Sequence, residues 1–505
     1  VTPVVVVGAG PTGLMLAGEL ALAGVGVTVL ERLPEPTGQS RAPGVYAGTL
    51  RYWDQRDLLR RFGDRLRVGA HGHFALLPGG LDLGVLDTPR AAALVPQATV
   101  EEVLLRWARD LGAVVRRGHE VTGLDAGPDG VELAVSGPDG PYALRASHVV
   151  GCDGGRSAVR DLAGFAFPGT PATVDVLLAD VAGLAPEDVP LPRDPFPFLR
   201  TERGWVGLSV VAPGSVRLFA CDFARPPVRG AGPPSFAEVA AAVRDLSGVD
   251  ISAGTPLWVS RFGNTTRQVD ALRRGRVLLA GDAAHVHPPF GGQGIGLGIA
   301  DAVNLGWKLA ARVRGWAPPD LLNSYDAERG PAAARVLALT RAQDALMQGG
   351  AGVASLRDFV ADLAALPEAN RRLAAEVTGL TLRHDVGEDG PLPGRLVPHR
   401  ELTAPDGTPT TTSALLRRGR GVLVDLDGRH ADAAAPWRDR VDTVAARGAV
   451  EGAPALLLRP DGHVAWAGAG SPERALRRWF GEPLTGPPLT DRTAPSRAVA
   501  TEGAR

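Results

Sequence analysis

Residues 4–31 read VVVVGAGPTGLMLAGELALAGVGVTVLE: four valines, the turn Gly8-Ala9-Gly10-Pro11-Thr12-Gly13, a helix-compatible run to Gly24, then Val27-Thr28-Val29-Leu30-Glu31. A strand, a glycine turn, a helix and a second strand ending in an acid, within about 30 residues, is the size and order of one βαβ unit. Gly8 permits the tight turn off the strand, Gly10 lets backbone approach a pyrophosphate, and Gly13 lets the helix pack closely on the strand. Glu31 stands where a ribose would donate hydrogen bonds. In a chain with 65 glycines the glycine spacing alone says little. The strand before it, the helix after it and the acid beyond it together predict an adenine dinucleotide.

Composition bounds the rest. A chain of 505 residues exceeds one ordinary core, so two to four domains are expected. The 54 basic and 55 acidic residues nearly cancel, with no block of like charge to suggest nucleic acid or a membrane surface. No apolar run approaches the roughly 20 residues that span a bilayer. The chain opens on strand-like residues without a basic n-region, so a soluble, cytoplasmic protein is expected. Cys152 and Cys221 are the only cysteines, which excludes a disulfide framework and a cysteine zinc site.

Further along, Gln39-Ser40-Arg41 is a loop in which Arg41 is either a solvated charge or a phosphate or flavin contact. Residues 49–62 have helical spacing, and residues 74–92 read as short strands broken by Gly and Pro. Gln97, before a helix over 100–111, either caps that helix or points inward to the cofactor. Residues 114–135 alternate as a strand pair, and His148-Val149-Val150 is a buried strand. It leads into Gly151-Cys152-Asp153-Gly154-Gly155-Arg156-Ser157-Ala158-Val159-Arg160, where glycines and charges mark either a close backbone approach or a plain surface turn. Residues 174–263 predict a mainly antiparallel sheet with a helix over 236–246. Its aromatics suit a core, and its inner face would suit a flat apolar ligand if it roofs a pocket. Residues 276–280 form another buried strand before Gly281-Asp282, whose carboxylate can reach a ribose hydroxyl. Pro288, Phe290, Gly291, Gly292, Gly294, Ile295, Gly296 and Leu297 then start a helix whose positive end favours an anion. Helical spacing covers 321–363. Beyond 390 the composition shifts to a small α/β pattern, and the last 20 residues suggest a flexible tail. His285 and His287 form a tempting pair, but without a third ligand a structural or cofactor-loop role is favoured and no metal site is expected.

Three separated signatures, residues 8–13 with Glu31, Asp153-Gly154, and Gly281-Asp282 with Pro288, join Asn304-Leu305-Gly306-Trp307-Lys308-Leu309. Together they resemble the single-component FAD-dependent aromatic hydroxylases of the para-hydroxybenzoate hydroxylase type. The similarity is nearest to the aromatic polyketide hydroxylases and rifampicin monooxygenases. It implies an α/β protein with a Rossmann-like FAD-binding domain (1–173, with 70–98 lent to the substrate domain, and 271–389). It further implies an antiparallel substrate domain (174–270), a thioredoxin-like C-terminal domain without redox cysteines (390–485) and a tail (486–505).

By resemblance, Gly8, Gly10, Pro11, Thr12, Gly13, Glu31, Arg32, Arg41, Gln97, Asp153, Gly154, Arg160, Gly281 and Asp282 hold the FAD. Pro288, Gly291, Gly292, Gly294, Ile295, Gly296 and Leu297 line its ring, with Gly296 standing where many relatives carry Asn. Phe74, Trp205, Phe219 and Phe290 are the substrate candidates. The implied chemistry is reduction of FAD by NADPH or NADH, O2 addition at the flavin C4a carbon, and oxygen transfer from that hydroperoxide to a polycyclic aromatic ring. No catalytic side chain is required, because the chemistry is borne by the flavin. Baeyer–Villiger oxygenation, antibiotic inactivation and a catalytically silent FAD-binding protein are the rival readings; a flavin halogenase is disfavoured because the chain has no Trp-x-Trp-x-Ile-Pro segment. A monomer or homodimer is expected.

Overall fold

Buried valines make the first strand the centre of a sheet: Val4, Val5 and Val6 are fully buried. The computed structural model describes residues 2–40, 42–192, 196–212, 214–228 and 232–484. In chain order the first sheet and its helices are built from β1 (Thr2–Val7), α1 (Pro11–Leu22), β2 (Val27–Glu31), α2 (Gln97–Asp110), β3 (Val114–Arg117) and β4 (Gly140–Gly151). All pairings among these strands are parallel, with β1 between β2 and β4. Strands buried on both faces read as continuous apolar runs, which is why the valine run carries no alternation. An antiparallel hairpin, Glu120–Ala126 and Val131–Gly137, extends the same sheet beside β4.

The middle of the chain forms a five-stranded antiparallel sheet from β5 (Asp175–Ala182), β6 (Phe198–Arg200), β7 (Gly204–Ala212), β8 (Ser215–Asp222) and β9 (Thr255–Gly263), in the order β6-β7-β8-β5-β9. Between β8 and β9 lies α3 (Phe236–Ser247). Period-two alternation sorts its residues: Val206, Leu208, Leu218 and Ala220 pack with α3, while Trp205, Phe219 and Cys221 face the other way.

The chain then returns to the first sheet. β10 (Val277–Leu279) adds in parallel beside β4, and α4 (Gly294–Val313) crosses α1 so closely that a methyl group on Gly298 or Gly306 would collide with Thr12 or Glu19. α5 (Asn323–Met347) follows. The final unit is a mixed sheet of β11 (Gly421–Asp425), β12 (Val441–Ala445), β13 (Ala455–Leu458) and β14 (Val464–Ala467), ordered β12-β11-β13-β14, with α6 (Glu473–Phe480). Its core includes Trp307 and Ala311 of α4, so the terminal sheet sits on that helix. Among the described residues no helix is long and apolar enough to cross a membrane.

Several expectations need correction. The helix expected over 49–62 ends at Gln55, because Asp57 takes a left-handed φ of 56°, and it resumes only for Leu59–Phe62. The helix expected over 321–363 breaks at Gly350, whose φ is 106°, into α5 and Ala351–Ala364; Pro367–Val377 is a further helix the pattern did not mark. Residues 74–80 form no strand, since Ala75 and Leu76 are left-handed. In the terminal unit the only α-helix among the described residues is α6; Ala414–Leu416 and Ala435–Trp437, which contains Pro436, are single 3-10 turns. The expected tail, residues 486–505, lies outside the described residues.

Buried charge fastens the terminal sheet to the rest. Arg459, fully buried, donates to both oxygens of Glu328 (2.6 and 2.8 Å) and to both of Asp461 (3.1 and 2.5 Å). Lys308 and Asn304 of α4 also donate to Glu328, and the Trp307 indole to Asp461. Burial, the largest influence, would lift the Glu328 and Asp461 carboxyls, but Arg459, joined by Lys308 at Glu328 and by His463 at Asp461, outweighs it and holds both well below the usual range. Their contribution is therefore whole above the ordinary carboxylate range, about pH 4, and is lost as pH falls toward the folded values. Arg459→Leu leaves two buried carboxylates without their main partner. It is expected to cost about 3–5 kcal/mol, read as a lowered urea midpoint at pH 7, and to flatten the loss of stability between pH 5 and 3.

Candidate functional site

Four turns collect at the carboxyl ends of the parallel strands: Gly8 follows β1, Glu31 ends β2, residues 152–155 follow β4, and Gly281-Asp282 follow β10. Strand order reverses at β1, so a crevice opens above it, where nucleotides bind in sheets of this kind. Gly8 has φ 106°, and a methyl group there would strike the Cys152 carbonyl; one on Gly13 would strike the Gly8 carbonyl. At Gly10 a methyl would meet nothing within 4 Å. The backbone is thus tight behind the turn and open in front of it. Pro11 opens α1, and Thr12 packs under Gly281. The Glu31 carboxylate accepts the Ala9 N–H at 2.8 Å and the Leu33 N–H at 3.0 Å, which holds it at the mouth of the turn. Arg32 is exposed beside it, and Arg41 lies outside the described residues.

The turn after β4 is held from within. Asp153 accepts the Ser157 hydroxyl at 2.5 Å and the Val159 N–H at 3.1 Å, and burial raises its carboxyl pKa against those bonds. Gly154 has φ 83° and open space beside it. Arg160 donates to the Gly155 carbonyl at 3.1 Å and the Ala283 carbonyl at 3.3 Å, strapping this turn to the one after β10. Gln97 does not cap α2: it is the first helical residue, its amide donating to Glu101 at 2.8 Å, and the Ser40 hydroxyl instead accepts the Ala98 N–H.

Asp282 sits exposed on the single 3-10 turn Gly281–Ala283. Beneath it, Asp301 of α4 is fully buried and accepts from the Gly281 N–H (3.0 Å), His285 Nε2 (2.6 Å) and Arg329 Nε (2.7 Å). Burial would raise its pKa, but Arg329 and His285 reverse the sign and keep it ionised. His285 is thereby committed to structure, and His287 Nδ1 donates to the Pro288 carbonyl at 2.9 Å. Pro288 is buried, and Gly291 and Gly292 are left-handed at 79° and 63°. α4 begins at Gly294, so the N–H groups of Gly294, Ile295 and Gly296 lack intrahelical acceptors, while the Leu297 N–H reaches the Gln293 carbonyl. A Cβ at Gly296 would come within 3.0 Å of Thr49 Oγ1, so an Asn here would require Thr49 to give way.

The substrate candidates meet. Phe74, Trp205 and Phe290 are buried in one apolar cluster with Phe219 and Phe198 packed against it. The Trp205 ring stands edge-on to Phe290 at 6.3 Å, joining the antiparallel sheet to the loop before α4. Residues without a motif complete the wall. Ala75 and Leu76 hold left-handed φ values of 52° and 50°, rare for such residues. The Ala75 N–H donates to Gln343 Oε1 at 3.0 Å, and its carbonyl accepts Arg200 Nη2 at 3.2 Å. Gln343 is fully buried, its Nε2 has no partner among the described residues, and a methyl on Gly291 would lie 2.7 Å from it. An orphaned donor therefore sits at the seam between the glycine loop and the aromatic wall. Gln343, Arg200 and Asp301 escape local pattern reading because each acts on a segment distant in sequence.

Comparison with known proteins places the chain in a family. Residues 1–340 match the family described as "FAD binding domain", and residues 390–483 match "Aromatic-ring hydroxylase, C-terminal". The chain is 44 % identical over 502 residues (95 % of this chain, 99 % of the relative) to a 12-dehydrotetracycline 5-monooxygenase/anhydrotetracycline 6-monooxygenase of Streptomyces rimosus. It is 43 % identical over 493 residues (96 % and 99 %) to a rifampicin monooxygenase of Streptomyces venezuelae. The crystal structure of CabE, an aromatic hydroxylase from angucycline biosynthesis, superposes with a TM-score of 0.90 at 46 % identity, over 96 % of this chain and 100 % of that one.

The chain belongs to the FAD-binding aromatic-ring hydroxylases and is an FAD-dependent monooxygenase. The open faces of Gly10 and Gly154, the pinned Glu31 and the exposed Asp282 fit the pyrophosphate, the adenosine ribose and the ribityl chain of that cofactor. Because nothing of the protein fills the space at Gly10, Gly10→Val should fold with unchanged far-UV circular dichroism yet purify colourless. Wild-type flavin content in that variant would show that the pyrophosphate lies elsewhere.

Proposed function

We propose that this monooxygenase inserts one atom of O2 into a flat, polycyclic aromatic substrate of the polyketide type, consuming NADPH or NADH. The observation that carries the reading is the aromatic wall of Phe74, Trp205, Phe219 and Phe290, set directly against the glycine loop that precedes α4. Relatives named for anhydrotetracycline and rifampicin support a large ring system over a single small phenol. The cytoplasm, where nicotinamide reductant is held, is its proposed location.

Bound FAD, once reduced, supplies the activation of O2 and the delivery of one oxygen atom to carbon. The chain supplies position and dryness. Gly8, Gly10 and Gly13 with the start of α1 hold the pyrophosphate, Glu31 the adenosine ribose, and Asp282 the ribityl chain. The free N–H groups of Gly294, Ile295 and Gly296 would lie toward the ring of bound flavin and would favour its anionic form. The aromatic wall excludes water from the reacting face and orients the substrate ring by stacking. Gln343 Nε2 offers its hydrogen to a carbonyl or hydroxyl oxygen at the seam, and its Oε1 keeps the strained Ala75 turn in place.

With purified yellow enzyme, NADPH oxidation should accelerate when polycyclic phenols are added, and the product should gain one atom from labelled O2. Unchanged oxidation across a panel of such phenols would overturn the reading, and the label's position separates ring hydroxylation from Baeyer–Villiger insertion. Gln343→Leu should retain full FAD while raising the substrate KM about tenfold, the weight of one buried hydrogen bond. It should also release more hydrogen peroxide per NADPH, measured by a peroxide-coupled assay.

A further inference from the structure

The loop leaving β11 gathers two carboxylates and an imidazole far from the crevice. Asp425 ends the strand and is buried, Asp427 is exposed two positions on, and His430 is only 6 % exposed. His430 Nε2 donates to the Gly470 carbonyl at 3.0 Å, which places the proton on that nitrogen and leaves a lone pair on Nδ1. Nδ1 is buried and has no hydrogen-bond partner among the described residues. It faces Asp427 Oδ1 at 3.6 Å and Asp425 Oδ1 at 3.8 Å. Three electron-pair donors thus surround one point, an arrangement that repels itself unless something positive lies between them.

A second proton on Nδ1 is the simplest such charge, but a charge-assisted N–H···O bond closes to about 2.7–2.9 Å, well inside these separations. A tetrahedral cation with bonds of about 2.0–2.2 Å holds its ligand atoms about 3.3–3.6 Å apart. The two separations from His430 Nδ1, 3.6 and 3.8 Å, lie within a few tenths of an ångström of that edge, and all three ligand atoms lie within 4.8 Å of one another. We propose that Asp425, Asp427 and His430 bind one divalent cation of the zinc type. The remaining bonds prepare the site. Asp425 Oδ1 accepts the Gly428 N–H and its Oδ2 the His430 N–H, each at 2.9 Å, and Asp427 Oδ1 accepts the Arg429 N–H at 3.1 Å. These turn bonds fix both carboxylates without consuming their outward lone pairs. The Gly470 carbonyl fixes the ring from behind, as outer partners of a ligating histidine do. Exposed Asp427 leaves an entry path, with water completing the coordination. Bound there, the cation joins the end of β11 to the loop after β14 through His430 and Gly470. It would brace the terminal unit without touching the flavin crevice.

The test uses tag-free, FAD-loaded full-length protein, stripped with a chelator, dialysed and titrated with Co2+. Tetrahedral d–d absorption is read to the red of the flavin bands. One equivalent of tetrahedral Co2+, displaced by Zn2+, is expected. Asp427→Asn and His430→Gln should each weaken binding at least tenfold, with flavin content unchanged. Absence of the bands in the wild type, or their persistence at wild-type affinity in either variant, would overturn the proposal. Asp427 is exposed, so its substitution tests the site without burdening the fold.

Discussion

One buried carboxylate organises the flavin end of the molecule. Asp301 lies on α4, and its two oxygens take the Gly281 N–H, His285 and Arg329. A lone charge in that position would be prohibitively costly, and three donors around it make it a fixed node. Gly281 carries Asp282 beside the crevice, His285 carries the loop to Pro288, and Arg329 also reaches the Leu297 carbonyl in the first turn of α4 at 3.3 Å. The turn that carries Asp282 and the first turn of α4 are set by the same ion.

Around that node the molecule is tied by contacts that reach across sequence. Arg160 laces the turn after β4 to the turn after β10. Arg56 pairs with Glu19 of α1 and donates to the Leu416 and Pro460 carbonyls. Arg459 performs a similar service between Glu328 and Asp461. In each case a guanidinium spans segments that no local pattern connects, and its rigid fork suits the task better than lysine's single point of charge.

What could be read from the sequence was what each residue imposes on its own neighbourhood. Gly8, Gly13 and Glu31 constrain backbone within one βαβ unit, so the unit is legible; the middle sheet is legible because Trp205 and Val206, or Phe219 and Ala220, alternate between two faces. The left-handed conformations of Ala75 and Leu76 are illegible, because neither residue prefers them and bonds from Gln343 and Arg200 impose them. Gln97 was open to two readings, and the cap came from Ser40, whose place beside α2 depends on the path of a loop. The Asp425, Asp427 and His430 group is contiguous yet silent in the sequence. Only the Gly470 carbonyl, far along the chain, shows which ring nitrogen carries the proton.

The parallel sheet is completed by a strand that arrives late. β1 waits for β4 at residues 140–151 and β4 in turn for β10 at residues 277–279, with α4 closing on α1 only afterwards. At a synthesis rate of about 5–20 residues per second, the ribosome takes roughly 15–60 s to deliver the strand and helix that cover the first turn. Through that interval the face of α1 that carries Thr12 and Glu19 has no partner until the glycines of α4 cover it, and one edge of β4 stays open. The same discontinuous order leaves any fragment that stops short of α4 without both the last parallel strand and the helix that covers α1.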